Sequence, residues 1–154
     1  GRHLLLSVTA ESAGGQPLAL HTGPTIPDWG GNQAGQPGQI YAKILADSHT
    51  GEAPVVSYWK QTFISRDNRI PALAEDTTYY TFSAPDPGAA TVSAQLLFRR
   101  IFQPLRESKG WDAPDIIMAQ VDTSLTLQPM WEVFLPLVKP SIPSADSLAG
   151  KNEK

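Results

Sequence analysis

Apolar and polar residues alternate with period two along much of this chain. Leu4, Leu6, Val8 and Ala10 alternate with Leu5, Ser7, Thr9 and Glu11, which predicts a strand with one buried face. Gly14-Gly15 predicts a turn, since glycine alone takes positive φ without strain, and residues 17–22 then return as a short strand to complete a hairpin. Ile40, Ala42, Ile44 and Ala46 alternate with Tyr41, Lys43 and Leu45 in the next strand. A polar turn over 47–52 leads to a strand over 54–65, with Val55, Ser57, Trp59, Gln61 and Phe63 on one face. Residues 77–83 and 91–99 flank the turn Pro85-Asp86-Pro87-Gly88 and predict a second hairpin. In its later strand Val92, Ala94, Leu96 and Phe98 share one face, and Ser93, Gln95 and Arg99 the other.

The remaining segments are less regular. Residues 23–38 predict a long loop rich in Gly, Pro, Asn and Gln, and loops of that length are often functional or held against a neighbour. Trp29, inside it, reads either as a lid over the core edge or as an anchor for a partner. Asp67-Asn68-Arg69 reads as a turn at a strand end, with Asp67 bonding nearby amides and Arg69 pairing with Asp67 or Asp76. Residues 102–109 predict one or two helical turns ended by Gly110. Residues 114–121 predict a short helix with Asp112 and Asp115 near its positive end. Residues 123–127 and 130–138 predict further strands, and 139–154 a flexible tail. The whole predicts an all-β, immunoglobulin-like β-sandwich over 1–138, with one or two short helices near the C-terminal third.

Composition narrows the function classes. The 14 prolines and 12 glycines favour short strands joined by turns over long helices. A net charge of −3 provides no basic field to collect phosphates, so nucleic acid is not an expected partner. With no cysteine, the chain holds no disulfide, no thiolate metal site and no Cys-x-x-Cys-His haem attachment. No apolar run approaches the ~20 residues of a membrane helix, so no transmembrane segment is expected. A chain beginning at Gly1 is expected to be processed or excised from a longer one.

Candidate chemistry is sparse. His3, His21 and His49 fall on separate elements without metal-site spacing; each reads as a surface or edge histidine, or as a ligand to a haem carried elsewhere. No nucleophile motif is present, and Glu75 and Asp76, adjacent in an extended segment, would point to opposite sides. Gly30-Gly31 and Gly35 lack the setting of a phosphate loop. Arg99 and Arg100, ending a strand, read as one buried stem with one solvated head. No catalytic residue and no metal ligand is expected. Trp29, Trp131 and Phe134 are the interface candidates.

Several stretches, taken in order, resemble a known family. They are Leu6-Ser7-Val8-Thr9-Ala10 with Gly14-Gly15 after it, then Pro37-Gly38-Gln39-Ile40-Tyr41-Ala42-Lys43, then Tyr58-Trp59. Asp67-Asn68-Arg69-Ile70-Pro71-Ala72 follows, then Tyr80-Thr81-Phe82 with Ala84-Pro85, and Val92-Ser93-Ala94-Gln95-Leu96-Leu97-Phe98-Arg99-Arg100. Over roughly residues 4–120 this resembles the β-sandwich region that follows the haem-binding part of bacterial secreted multihaem c-type cytochromes. The haem attachment motifs are absent, as is the Gly-His-x-x-Pro-Thr-Gly-like segment usually found upstream, and Gly1-Arg2-His3 does not replace it.

The resemblance implies a non-catalytic structural or docking domain of a multihaem electron-transfer protein or complex, periplasmic or extracellular. Haem c would sit on an associated chain or an upstream region, with no cofactor in this chain. The Asp67–Pro71 residues would then be structural. Two rival readings stay open: an adhesion or filament module using the 23–38 loop and 130–138, and a carbohydrate-binding sandwich using Trp29, Trp59 or Trp111 as stacking platforms.

Overall fold

The computed structural model describes residues 1–57, 59–83 and 87–127. The expected strand at 130–138, with Trp131 and Phe134, and the expected tail at 139–154 lie outside the described residues. In chain order the elements are β1 (His3–Ser12), β2 (Ala19–Thr22), a 3-10 segment (Asp28–Gln33), β3 (Gly38–Tyr41), β4 (Lys43–Asp47), β5 (Thr62–Asp67), β6 (Thr81–Ser83), β7 (Gly88–Arg99), α1 (Gln103–Lys109) and β8 (Ile116–Leu127). The fold is all-β and antiparallel. One sheet has the order β3-β1-β7-β8, and two further pairs join β2 to β6 and β4 to β5.

β1 and β7 form the spine, in register from His3 opposite Arg99 to Ser12 opposite Ala90. Their buried side changes along the length. At one end His3, Leu5, Leu97 and Arg99 are buried on one face, against Ile26, Ile40, Ile44 and Phe102. Towards the other end the opposite face is buried, at Val8, Ala10 and Ala90, beside Leu18, Tyr80 and Phe82. Period two correctly marks β1 as a strand, but its single buried face does not survive: two half-cores grip opposite faces at opposite ends. Leu5 and Ile26 are wholly enclosed, and burial of each contributes about 2 kcal/mol.

The hairpins expected from local turns are replaced by long-range pairings. β1 leaves its turn with only a bridge between Glu11 and Pro17, after which β2 pairs with β6. β7 pairs with β1 and β8, not with β6. Local turn chemistry therefore reverses the chain, while matched apolar rows choose the partner.

Several elements change type or extent; the strand expected over 77–83, for one, is confined to Thr81–Ser83. Residues 114–121, expected as a helix, belong instead to β8, which pairs with β7 from Ile116–Phe98 to Leu127–Gly88. Pairing along a neighbouring strand outweighs the acidic helix-start signal, and Ile116, Ile117 and Val121 suit a pleated surface. The strand expected over 54–65 begins only at Thr62. Pro54, without an N–H, cannot bond there, although Val55 still donates to the Leu45 carbonyl at 2.8 Å. α1 forms as expected and ends at Gly110, whose φ of 62° suits glycine.

Candidate functional site

The strand expected over 40–46 is cut at Ala42 into β3 and β4, and the 67–76 stretch makes that cut. The Asn68 side chain accepts the Ala42 N–H at 3.0 Å and donates to the Ile40 carbonyl at 2.6 Å. One amide thus supplies both partners that a neighbouring strand would otherwise give. Asp67 accepts the Arg69 guanidinium through both oxygens, at 2.8 and 2.7 Å, and the Arg69 backbone N–H at 3.3 Å. Hydrogen bonding from the guanidinium holds the Asp67 carboxyl down at about 2. The Tyr41 hydroxyl donates to Asp76 at 2.7 Å, and burial together with that bond raises its pKa. Arg69 therefore takes Asp67, not Asp76, as its partner.

Beyond this clamp the chain turns outward. The Ala74 N–H donates to the Pro71 carbonyl at 3.1 Å, closing a turn in which Leu73 has φ 64°. An L-residue there is strained by about 1–2 kcal/mol, and its side chain is wholly in solvent. Ile70 and Tyr79 flank it as exposed residues, and Trp59, Phe63 and Ile64 are exposed on the β5 side.

A second cluster fills the end of the sheet near His3. Phe102 stacks on the His3 ring at 5.0 Å and meets the Trp29 ring edge-on at 5.5 Å. Trp29 is half-buried against the core, as a lid over its edge. The His3 Nδ1–H donates to the Gly1 carbonyl at 2.9 Å, while Nε2 is buried without a hydrogen-bond partner. Burial lowers the His3 pKa, and the nearby Arg99 cation adds to this.

Arg99 is the polar centre of this cluster. Its guanidinium donates twice to Asp115, at 2.8 and 2.6 Å, and also to the Gly30 carbonyl and Asn32 Oδ1 at 2.6 and 2.9 Å. Of the two arginines expected to divide between inside and solvent, Arg99 is the buried one, 4% exposed, and Arg100 points outward. Sequence reasoning missed the pairing with Asp115 because that residue was assigned to a helix start. Gly30 and Gly31 are packing glycines: a Cβ on the first would strike Ile26, and on the second the Gln103 side chain.

A third feature is an apolar cleft of about 470 Å³ between the large sheet and the β2–β6 pair. Val8, Ala10, Phe82, Val92, Thr123 and Leu125 line it, and the Tyr80 hydroxyl is buried beside it without a hydrogen-bond partner. β8 continues the apolar surface outward through Leu125, Val121 and Ile116, which are 47%, 61% and 40% exposed.

The histidines do not converge. His3 is packed inside, His21 lies exposed on β2, and His49 is exposed in the turn after β4. Among the described residues no group of three His, Asp or Glu side chains is placed to hold a metal ion. Asp47, near His49, caps its own turn by accepting the His49 and Thr50 N–H groups at 2.8 and 3.2 Å and pairs with Lys60 at 3.1 Å. Among the described residues no helix is long and apolar enough to cross a membrane. No protein family, curated protein or solved structure matches the chain.

Proposed function

We propose that this chain is a non-catalytic, immunoglobulin-like β-sandwich module that docks onto a multihaem c-type cytochrome, carried on another chain or upstream in the same one, in the periplasm or outside the cell. The observation that carries the reading is the division of labour within 67–79. The residues bearing the resemblance, Asp67, Asn68 and Arg69, are engaged in bonds that shape the backbone. The residues after them push a strained leucine and an aromatic ring into solvent. Strain held at an exposed apolar tip is poor use of stability unless something covers the tip. A docking role uses Leu73, Ile70 and Tyr79 as its contact and needs no reacting group from this chain. A rigid cover at a haem array fixes spacing and limits solvent access, both of which tune potential.

Affinity isolation of the tagged chain from its native source tests this. The unaltered chain is expected to retain a haem-stained partner. Leu73→Asp combined with Tyr79→Ser is expected to reduce the retained haem at least tenfold without unfolding the module. Equal retention by both, or no haem with either, overturns the reading.

A further inference from the structure

The large sheet ends at β8, whose outer edge has no neighbouring strand among the described residues. Met118 forms a bulge in it, since Ala119 pairs with Leu96 and Ile117 already with Leu97. Beyond the bulge, residues 119–127 run in unbroken register with β7. Exposed edges are usually guarded by charges, proline or further bulges. This run has one charged residue, Asp122, and no proline. Its two faces differ in character. Val121, Thr123 and Leu125 share the cleft side with Ala94, Val92 and Ala90, while Gln120, Asp122 and Ser124 share the other with Gln95, Ser93 and Thr91.

We propose that this edge pairs with the same edge of a second copy, antiparallel about a two-fold axis through Thr123. In that register the run is its own complement. Val121 falls opposite Leu125 of the second copy, Thr123 opposite its own counterpart and Gln120 opposite Thr126. Asp122, the sole charge, falls opposite Ser124, whose hydroxyl can donate to it. Thr123 is the midpoint of 119–127, so every residue of the regular run finds a partner. Moving the axis to Asp122 would set two carboxylates against each other, which is destabilising. Moving it to Val121 would bring the Met118 bulge into the ladder, opposite Ser124. The contact is isologous, so growth along this edge stops at two copies. Both apolar clefts then lie on the same face of one continuous sheet. The inference does not depend on the haem partner proposed above.

The chain has no cysteine, so single cysteines report the register without background. A contact of this size is expected to hold the full chain as a dimer at about 100 µM, read by sedimentation velocity. Under mild oxidation Thr123→Cys is expected to give a disulfide-linked dimer, because the two Cα atoms facing each other across the axis lie about 5 Å apart. Val121→Cys would stand about 14 Å from its counterpart and should link at least about fivefold less. Asp122→Cys and Ser124→Cys change only the solvated face, so neither risks the fold; mixed, they should link to each other in preference to themselves. A monomer at that concentration, as expected if this edge is covered by its own chain or by a different partner, overturns the proposal. Equal linking from positions 121 and 123, or none between 122 and 124, overturns it as well.

Discussion

Arg99 and Asp115 are joined by two charge-assisted hydrogen bonds, Nε to Oδ1 at 2.8 Å and Nη2 to Oδ2 at 2.6 Å, with the guanidinium buried and the carboxylate at the rim. The pair locks the last residue of β7 to the residue that precedes β8. Removing one partner leaves a buried charge uncompensated, which is more damaging than losing the pair altogether. Asp115→Asn is expected to destabilise the fold by about 3 kcal/mol, and Arg99→Leu with Asp115→Leu by less, in urea unfolding at neutral pH. The Arg99 guanidinium beside Asp115 lowers the carboxyl pKa. Its stabilisation is therefore full above the ordinary carboxyl pKa of about 4 and is lost as pH falls through the lower folded value. Asp115→Asn should flatten that acid limb; an unchanged limb would dissociate the pair from acid unfolding.

His3 gives a pH dependence in a different window. Its folded pKa lies below the ordinary value of about 6.5, so the unfolded chain binds the proton more readily. Stability is full above about 6.5 and falls as pH drops from there towards the folded value. Between those limits the melting temperature of the unaltered protein is expected to decline. His3→Phe preserves the stacking on Phe102, removes the unpartnered Nε2 and should abolish that decline, with stability at pH 7 equal or about 1 kcal/mol higher. Thermal unfolding followed from pH 7.5 to 5 decides the matter.

Asn68 replaces a missing strand neighbour for two backbone groups. Asn68→Ala leaves the Ala42 N–H and the Ile40 carbonyl without these partners and is expected to destabilise by about 2–3 kcal/mol. Asn68→Asp keeps the acceptor but sets an anion against the Ile40 carbonyl, so it should rescue little. A urea midpoint in Asn68→Ala equal to that of the parent would show that β3 and β4 separate without this side chain.

Leu73 should behave in the opposite sense. Leu73→Gly relieves the positive φ of 64°, so stability is expected to hold or rise by up to about 1 kcal/mol. Haem partner retention should nevertheless fall. A variant that is as stable as the parent and binds as well would leave the strained turn without a role in docking.

Strand positions were legible in the sequence because period two is a backbone property: β1 and β7 fall where alternation places them, and the run over 40–46 marks the extended stretch that Ala42 divides into β3 and β4. Partners were less legible. Gly14-Gly15 and Pro85–Gly88 advertise reversals, yet β2 and β6, separated by some sixty residues, find each other because both cover one end of β1. The buried faces were half legible. Leu5 and Leu97 look like the outward members of their strands until the 3-10 segment, Ile26 and Phe102 arrive over them. The Arg99–Asp115 pair was hidden because its two halves lie sixteen residues apart, and Asp115 also fits a helix start. Asp67 was read correctly as bonding a nearby amide, but it ends β5 and the turn comes later, at 72–73, and nothing in the spacing revealed the Asn68 bridge to β3 and β4.

The measurement that bears most directly on the central proposal is a visible absorption spectrum of the intact native assembly that contains this chain, oxidised and then reduced with dithionite. A docking module of a multihaem cytochrome requires an intense Soret band that shifts on reduction, together with sharp c-type α and β bands, at several haems per copy of the chain. An assembly isolated under native conditions with no Soret absorption would contradict it.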